Sequence, residues 1–280
     1  MRDYFCGWYF KCQNENRTIA VIPAYHITND EKSCSIQVIT DDASWNICFP
    51  YSEYQQKKSC VNIAGNIFAQ NGISLNLRTP EITAVGALSF GALAPLKYDI
   101  MGPFRYVPFM ECRHSVYSMK HTVNGKLVIN GASYEFRNGC GYMEGDRGHS
   151  FPKKYIWTQC CFPEGALMLS VADIPYCGLH FTGVISAIYY RGKEYRMGTY
   201  LGARVVRISD GEVVVRQGHK QLTIRCLEKK GHPLAAPVGG KMSRTIHETA
   251  ACRAYFQYQE GGHIVFEFES GCAAFEYEYP

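Results

Sequence analysis

The sequence predicts an all-β protein, and three observations carry that prediction. Aromatic residues make up 14% of the chain and Tyr alone counts 20, and ring side chains suit a pleated, half-buried surface. Turn signals recur along nearly the whole length, as they do between antiparallel strands. No segment sustains an apolar period of 3.6 residues. Charged residues amount to only 19%, which marks a folded chain rather than a disordered one. At 280 residues the chain is long for one domain and comfortable for two.

The elements follow in order. "FCGWYFKCQ" reads as a Trp-centred strand, and "IAVIPAYHI" as the next one. Ser52 to Ser59 is expected to make a short helical turn. Asn71-Gly72 joins two alternating runs as a hairpin. Asn124-Gly125 and Asn130-Gly131 are expected to cut "SMKHTVNGKLVINGASYEF" into three short strands. After Pro152, "YIWTQCCF" is again Trp-centred, and "ALMLSVADIPYCGLHFTGVISAIYY" follows it. Asp210-Gly211 and Gly261-Gly262 make later hairpin turns. Both second strands contain Ile-Pro, and a proline in a sheet belongs at an edge or bulge. This echo predicts two similar barrel-like units, residues 1–147 and 148–280, since so many strands need closed or doubled sheets to hide their edges.

Composition excludes several functions. Net charge is +4 and Lys and Arg form no run longer than a pair, so no nucleic-acid stripe is expected. The 13 cysteines include no Cys-x-x-Cys spacing, and no metal site is predicted. The N-terminus lacks a signal peptide's apolar core, and no run is long enough to span a bilayer. A cytoplasmic protein with reduced thiols is expected. No phosphate loop, dinucleotide fingerprint or nucleophile elbow occurs. Nothing specifies an oligomer.

The chemistry concentrates in "GYMEGDRGHSFPKKYIWTQ", Gly141 to Gln159. Glu144 and Asp146 are two apart, so in extended chain they share a face. Two such carboxylates repel, and burial adds to the effect, so one can hold a proton at neutral pH. A protonated acid in an apolar pocket can protonate an alkene, and Tyr or Trp faces can support the cation. Arg147 opposes this by favouring the carboxylates. The plain alternative is a salt-bridged turn between the units, helped by Gly145 and Gly148. A second polar cluster, Glu111, Arg113, His114 and Ser118, follows the Pro-rich "MGPFRYVPFM". His114 can shuttle a proton or hold a ligand, although a backbone-capped core histidine is the commoner case. Trp8, Tyr155 and Trp157 are core residues in most settings. Gln159 shares their alternation and must find partners if buried.

"YFCGWYFK", "FPYSEY", "MGPFRYVPFMECRH", "GYMEGDRGHSFPKKYIWTQ" and "APVGGKMSRTIHE", in this order, resemble the tocopherol cyclase-like family. The resemblance implies two lipocalin-like antiparallel β-barrels in tandem, similar to the fold of carotenoid hydratases. The plant enzymes of that family protonate a prenyl double bond and close a chromanol ring. Three positions depart from the family's pattern: Cys6 stands where Glu is usual, Gly145 where Lys is, and Arg147 where Trp is. The expected ligand is a small apolar or aromatic molecule, rearranged without a cofactor. The expected catalytic groups are Glu144, Asp146 and His114. The expected binding residues are Trp8, Glu111, Arg113, Ser118, Tyr142, Arg147, Tyr155, Trp157 and Gln159. The alternative is a carrier or sensor of the same ligand without chemistry.

Overall fold

The computed structural model describes residues 3–176, 178–228 and 231–279. Its regular structure is strand, apart from three short 3-10 segments. The first eleven strands are β1 (Tyr4–Gln13), β2 (Thr18–Ile27), β3 (Lys32–Thr40), β4 (Ser44–Pro50), β5 (Tyr54–Lys57), β6 (Cys60–Ile63), β7 (Asn66–Ala69), β8 (Gly72–Arg78), β9 (Thr83–Phe90), β10 (Cys112–Ile129) and β11 (Ala132–Gly148). They form one antiparallel sheet in which β1 pairs with β11, so the chain's first strand meets the meander's last. The remaining ten are β12 (Tyr155–Phe162), β13 (Gly165–Tyr176), β14 (Leu179–Tyr190), β15 (Lys193–Gly198), β16 (Arg204–Ser209), β17 (Glu212–Gln217), β18 (Lys220–Cys226), β19 (His232–Val238), β20 (Lys241–Glu260) and β21 (His263–Tyr277). They repeat the plan, with β12 pairing β21.

Two-residue alternation gives each sheet an inside and an outside. On β1, Phe10 and Cys12 enter a core enclosed by the first sheet. On β12, Ile156, Cys160 and Phe162 enter the equivalent core of the second. The alternate residues are not solvent-facing. Tyr9 from β1 joins Tyr155, Trp157 and Cys161 from β12 in a third core between the sheets. Every residue of β12 is buried, which is why "YIWTQCCF" reads as a continuous apolar run rather than an alternating one. Each sheet thus encloses a core of its own, and the two sheets pack outer face to outer face.

Three sequence expectations change. Asn124-Gly125 is not a turn. It lies within β10 at a register shift, because Gly125 (φ 128) lets the strand bulge where a Cβ would stand 2.3 Å from the Ala87 carbonyl oxygen. Asn130-Gly131 does turn, between β10 and β11, so the expected meander is two long strands. The helical expectation shrinks to a 3-10 turn at Tyr51–Glu53, and β5 follows directly. The Ile-Pro bend is visible in β2. Its ladder to β1 breaks between Ala24 and Val21, around Pro23, which has no amide hydrogen to give. No helix is long and apolar enough to cross a membrane among the described residues.

Candidate active site between the two sheets

Gly141 to Gly148 is not a turn between units. It is the end of β11, paired on one side with β1 and on the other with β10. This central position turns Tyr142, Glu144 and Asp146 toward the second sheet and Arg147 to the opposite face. Tyr142 Oη donates to Glu144 Oε2 at 2.6 Å, and Trp157 Nε1 from β12 donates to the same oxygen at 3.2 Å. His114 on β10 lies opposite Asp146 in register. Its Nδ1 is 2.9 Å from Asp146 Oδ1, and its Nε2 is 3.1 Å from Glu144 Oε2. Cys112 Sγ also reaches Asp146 Oδ1, at 3.4 Å.

Burial by itself would lower the His114 pKa. The Glu144 and Asp146 carboxylates outweigh it and hold the ring well above its ordinary range. The ring is therefore an imidazolium between two acids at neutral pH. Sequence reasoning expected repulsion to leave a proton on one of that pair. The structure puts the His114 ring between the two. His114, Glu144 and Asp146 are also the group with metal-ligand spacing among the described residues, with one ligand atom from each within 4.8 Å of the others. His114 turns one ring nitrogen to each acid, so a metal would have to displace the ring from one carboxylate.

A second acidic pair faces this cluster. Glu248 on β20 lies directly opposite Glu276 on β21, and both are buried. Tyr9 Oη donates to Glu248 Oε1 at 2.6 Å, and Tyr155 Oη donates to Glu276 Oε2. Glu248 Oε2 has no donor from a neighbouring side chain, but it is within hydrogen-bonding reach of the Glu276 carboxyl. A proton held between the two carboxyls satisfies both, as two ionised acids at this distance cannot. Burial pushes the Glu248 carboxyl up to about 7, with Glu144 adding to the rise. Burial and the Glu248 charge push Glu276 well above the usual carboxylate range.

Between the clusters is a cavity of about 180 Å³. Ile22, Met101, Phe104, Met110, Phe151 and Ile185 are among its apolar walls, and His114, Glu144, Asp146, Glu248 and Glu276 all reach it. An apolar cavity of about 150 Å³ accommodates benzene, so this volume suits a single ring with a short alkyl or prenyl substituent. Tyr9 and Trp157 meet edge to face at 5.2 Å between centroids and both line the space.

The expected site residues separate into three sets. His114, Glu144, Asp146, Tyr155, Trp157 and Trp8 line the cavity, Trp8 while packing against the first sheet's core. Tyr142 stands behind Glu144 as its donor. The others do not line it. Arg147 is exposed and lies opposite Cys6 and Arg113 in register, where alternation aims it away from both acids. Arg113 donates to the carbonyls of Arg105 and Val107 at 2.6 and 3.1 Å, which ties down the 3-10 segment Gly102–Tyr106. Ser118 straps a bulge, accepting from the Ala94 amide and donating to the Lys120 carbonyl. Gln159 is buried against Cys161 Sγ, 3.3 Å from its Nε2. Glu111 contributes its backbone carbonyl to the amides of His149 and Ser150.

Sequence reasoning missed Glu248, Glu276 and Tyr9. Glu248 closes the motif "APVGGKMSRTIHE" and precedes an apolar run, which is a usable signal. Glu276 sits in "FEYEY" with nothing to distinguish it from a surface acid; only the β20–β21 register brings it to Glu248. Gly145 has a packing reason for its departure from the family's Lys. A Cβ there would stand 2.9 Å from both the Gly7 carbonyl oxygen and the Tyr117 ring.

The family model described as tocopherol cyclase-like matches residues 54–175, which bears out the resemblance read from the motifs. No curated protein matches the chain. Similar solved structures include an AttH candidate from Nitrosomonas europaea, with 10% identity and TM-score 0.56, covering 100% of this chain and 93% of that one. Kievitone hydratase from Nectria haematococca has 10% identity and TM-score 0.58, covering 99% and 89%. CghA with Sch210972 has 9% identity and TM-score 0.62, covering 98% and 88%. At these identities the likeness is one of fold, and the fold is that of two lipocalin-like barrels in tandem.

Proposed function

We propose that this chain, tocopherol cyclase-like by its motifs and by its match over residues 54–175, binds a small prenyl-bearing or aromatic molecule between its sheets and rearranges it by acid catalysis. The observation that carries the proposal is the Glu248–Glu276 pair, two buried carboxyls set opposite each other at the wall of a largely apolar cavity. A carboxyl kept neutral at pH 7 is a proton donor. Tyr9 and Tyr155 fix the orientation of the two acids through their hydroxyls.

The step is an isomerisation or a hydration. The pair gives a proton to one alkene carbon, the π bond breaks, and a tertiary cation forms on the other carbon. The Tyr9 and Trp157 rings support that cation, at roughly 0.5–2 kcal/mol per contact. The His114 cluster also supports it, since two carboxylates against one imidazolium leave a net negative charge. A hydroxyl of the same molecule, or a water, then forms the new C–O bond. Its proton returns to the carboxylate left by the first step. Glu144 and Asp146 thus act as fixed negative charge, and His114 sets their positions.

The test uses 2-prenylphenol and related prenylated phenols in deuterated buffer. The expected product is the cyclic ether or the alcohol, carrying one deuterium at the protonated carbon. Glu248→Gln and Glu276→Gln abolish it and leave binding of the phenol intact. Binding without product in the unaltered protein would make the chain a carrier. Product formation that survives both substitutions would remove the acid assignment.

A further inference from the structure

A second feature lies at the other end of the sheet interface, and it does not depend on the proposed acid chemistry. Half-buried Cys140 on β11 and Cys161 on β12, 4% exposed at the edge of the core between the sheets, both line a cleft that also contains Gln13, Lys120, His121 and Cys272. The two thiols are hydrogen-bonded to each other. Gln159 Nε2 donates to Cys161 Sγ at 3.3 Å. Gln13 Nε2 donates to the Cys161 carbonyl at 3.3 Å. Gln13 Oε1 and His121 Nε2, from residues of the cleft, are buried without hydrogen-bond partners, as is Oε1 of Gln159 beside Cys161. Such orphaned polar atoms are uncommon in folded proteins and mark places where a polar molecule fits.

We propose that Cys140 and Cys161 form a peroxide-reactive dithiol site, with Cys161 as the attacking thiolate and Cys140 as the resolving thiol. The Cys161 sulfur attacks one peroxide oxygen; the S–O bond forms and the O–O bond breaks. The departing hydroxide takes a proton and leaves as water. The Cys140 sulfur then attacks the sulfenic sulfur of Cys161. The S–S bond forms, the S–O bond breaks, and the second hydroxide leaves as water with the Cys140 proton. Two thiols are oxidised to one disulfide, and one hydrogen peroxide is reduced to two waters.

Electrostatics favour Cys161 as the attacker. The hydrogen bond from Cys140 pulls its pKa down to about 7 against the opposing effect of burial, and the Lys11 and Lys120 charges contribute. The same bond and burial push Cys140 up, as suits a thiol that waits. A second hydrogen-bonded thiol pair, Cys226 and Cys252, is a built-in control. Its Cys226 neighbour pushes Cys252 up, and neither lines the cleft. The product disulfide joins β11 to β12, the two strands that carry Glu144 and Trp157 to the cavity.

The test treats the reduced, full-length protein with stoichiometric hydrogen peroxide, blocks free thiols and maps the peptides by mass spectrometry. The expected first product is the Cys140–Cys161 cross-link, at least about tenfold faster than any at Cys226 and Cys252. In Cys140→Ser, dimedone labels Cys161 as the trapped sulfenic acid. In Cys161→Ser, Cys140 stays unlabelled. Should Cys161→Ser fail to fold, the unaltered protein and Cys140→Ser decide the matter. A folded protein that forms no Cys140–Cys161 cross-link, or cross-links Cys226 to Cys252 equally fast, overturns the proposal.

Discussion

Replacing Glu248 by Gln should flatten the protein's stability against pH. Burial raises the Glu248 carboxyl from its ordinary 4.5 to about 7. A carboxyl raised on folding binds its proton more tightly in the native state than in the unfolded one. Its contribution is therefore complete below pH 4.5 and is lost as pH rises through about 7. Each pH unit between those values costs at most about 1.4 kcal/mol. From pH 5 to pH 8 the loss comes to about 2–3 kcal/mol for this group. Gln keeps the shape, still accepts from Tyr9 and cannot ionise. Urea unfolding at several pH values measures the difference, through the midpoint and slope at each pH. The wild-type protein should lose about 2–3 kcal/mol more than Glu248→Gln over that range. His114 and Glu276 are present in both proteins, and because the Glu248 charge itself raises Glu276, the difference reads the acid pair. Parallel pH profiles for the two proteins would refute the idea that Glu248 is held protonated by burial.

Three further outcomes follow from the same geometry. His114→Gln leaves Glu144 and Asp146 without their buried counter-charge, at a cost of about 3–5 kcal/mol at neutral pH. Because the folded His114 value is raised, the native ion pairs contribute fully below pH 6.5 and fade as pH rises through the folded value, so the gap between wild type and variant should narrow at high pH. Tyr9→Phe removes the donor that holds the Glu248 value down, and infrared titration of the buried carboxyl stretch should show its midpoint moving upward; an unmoved midpoint would contradict the Tyr9 contact. Gly145→Lys restores the family's usual residue yet should destabilise by about 1–3 kcal/mol, because its Cβ meets the Gly7 carbonyl and the Tyr117 ring; thermal unfolding reads the change.

Local chemistry made much of the molecule legible in advance. Ring-rich alternation and Gly-containing turns specify strands through short-range sterics, so the all-β class and the turns at Asn71-Gly72, Asn130-Gly131, Asp210-Gly211 and Gly261-Gly262 were readable. Asn124-Gly125 misled because the same dipeptide serves a turn or a bulge. The choice between them lies in β9, whose Ala87 carbonyl crowds Gly125. The common face of Glu144 and Asp146 followed from period-two alternation alone.

What alternation cannot say is which of a strand's two faces meets what. The outer faces of β1 and β12 pack on each other, and that places the cavity between the barrels rather than inside one. It also sends Arg147 away from the acids it was expected to neutralise, and brings His114 between them. Glu248 and Glu276 are 28 residues apart in the chain, and each alone is an ordinary acid. Only the register of β20 against β21 sets them face to face in a buried place. Their proton affinity belongs to the pair and its burial, because desolvation and mutual repulsion depend on distance in space and not on sequence.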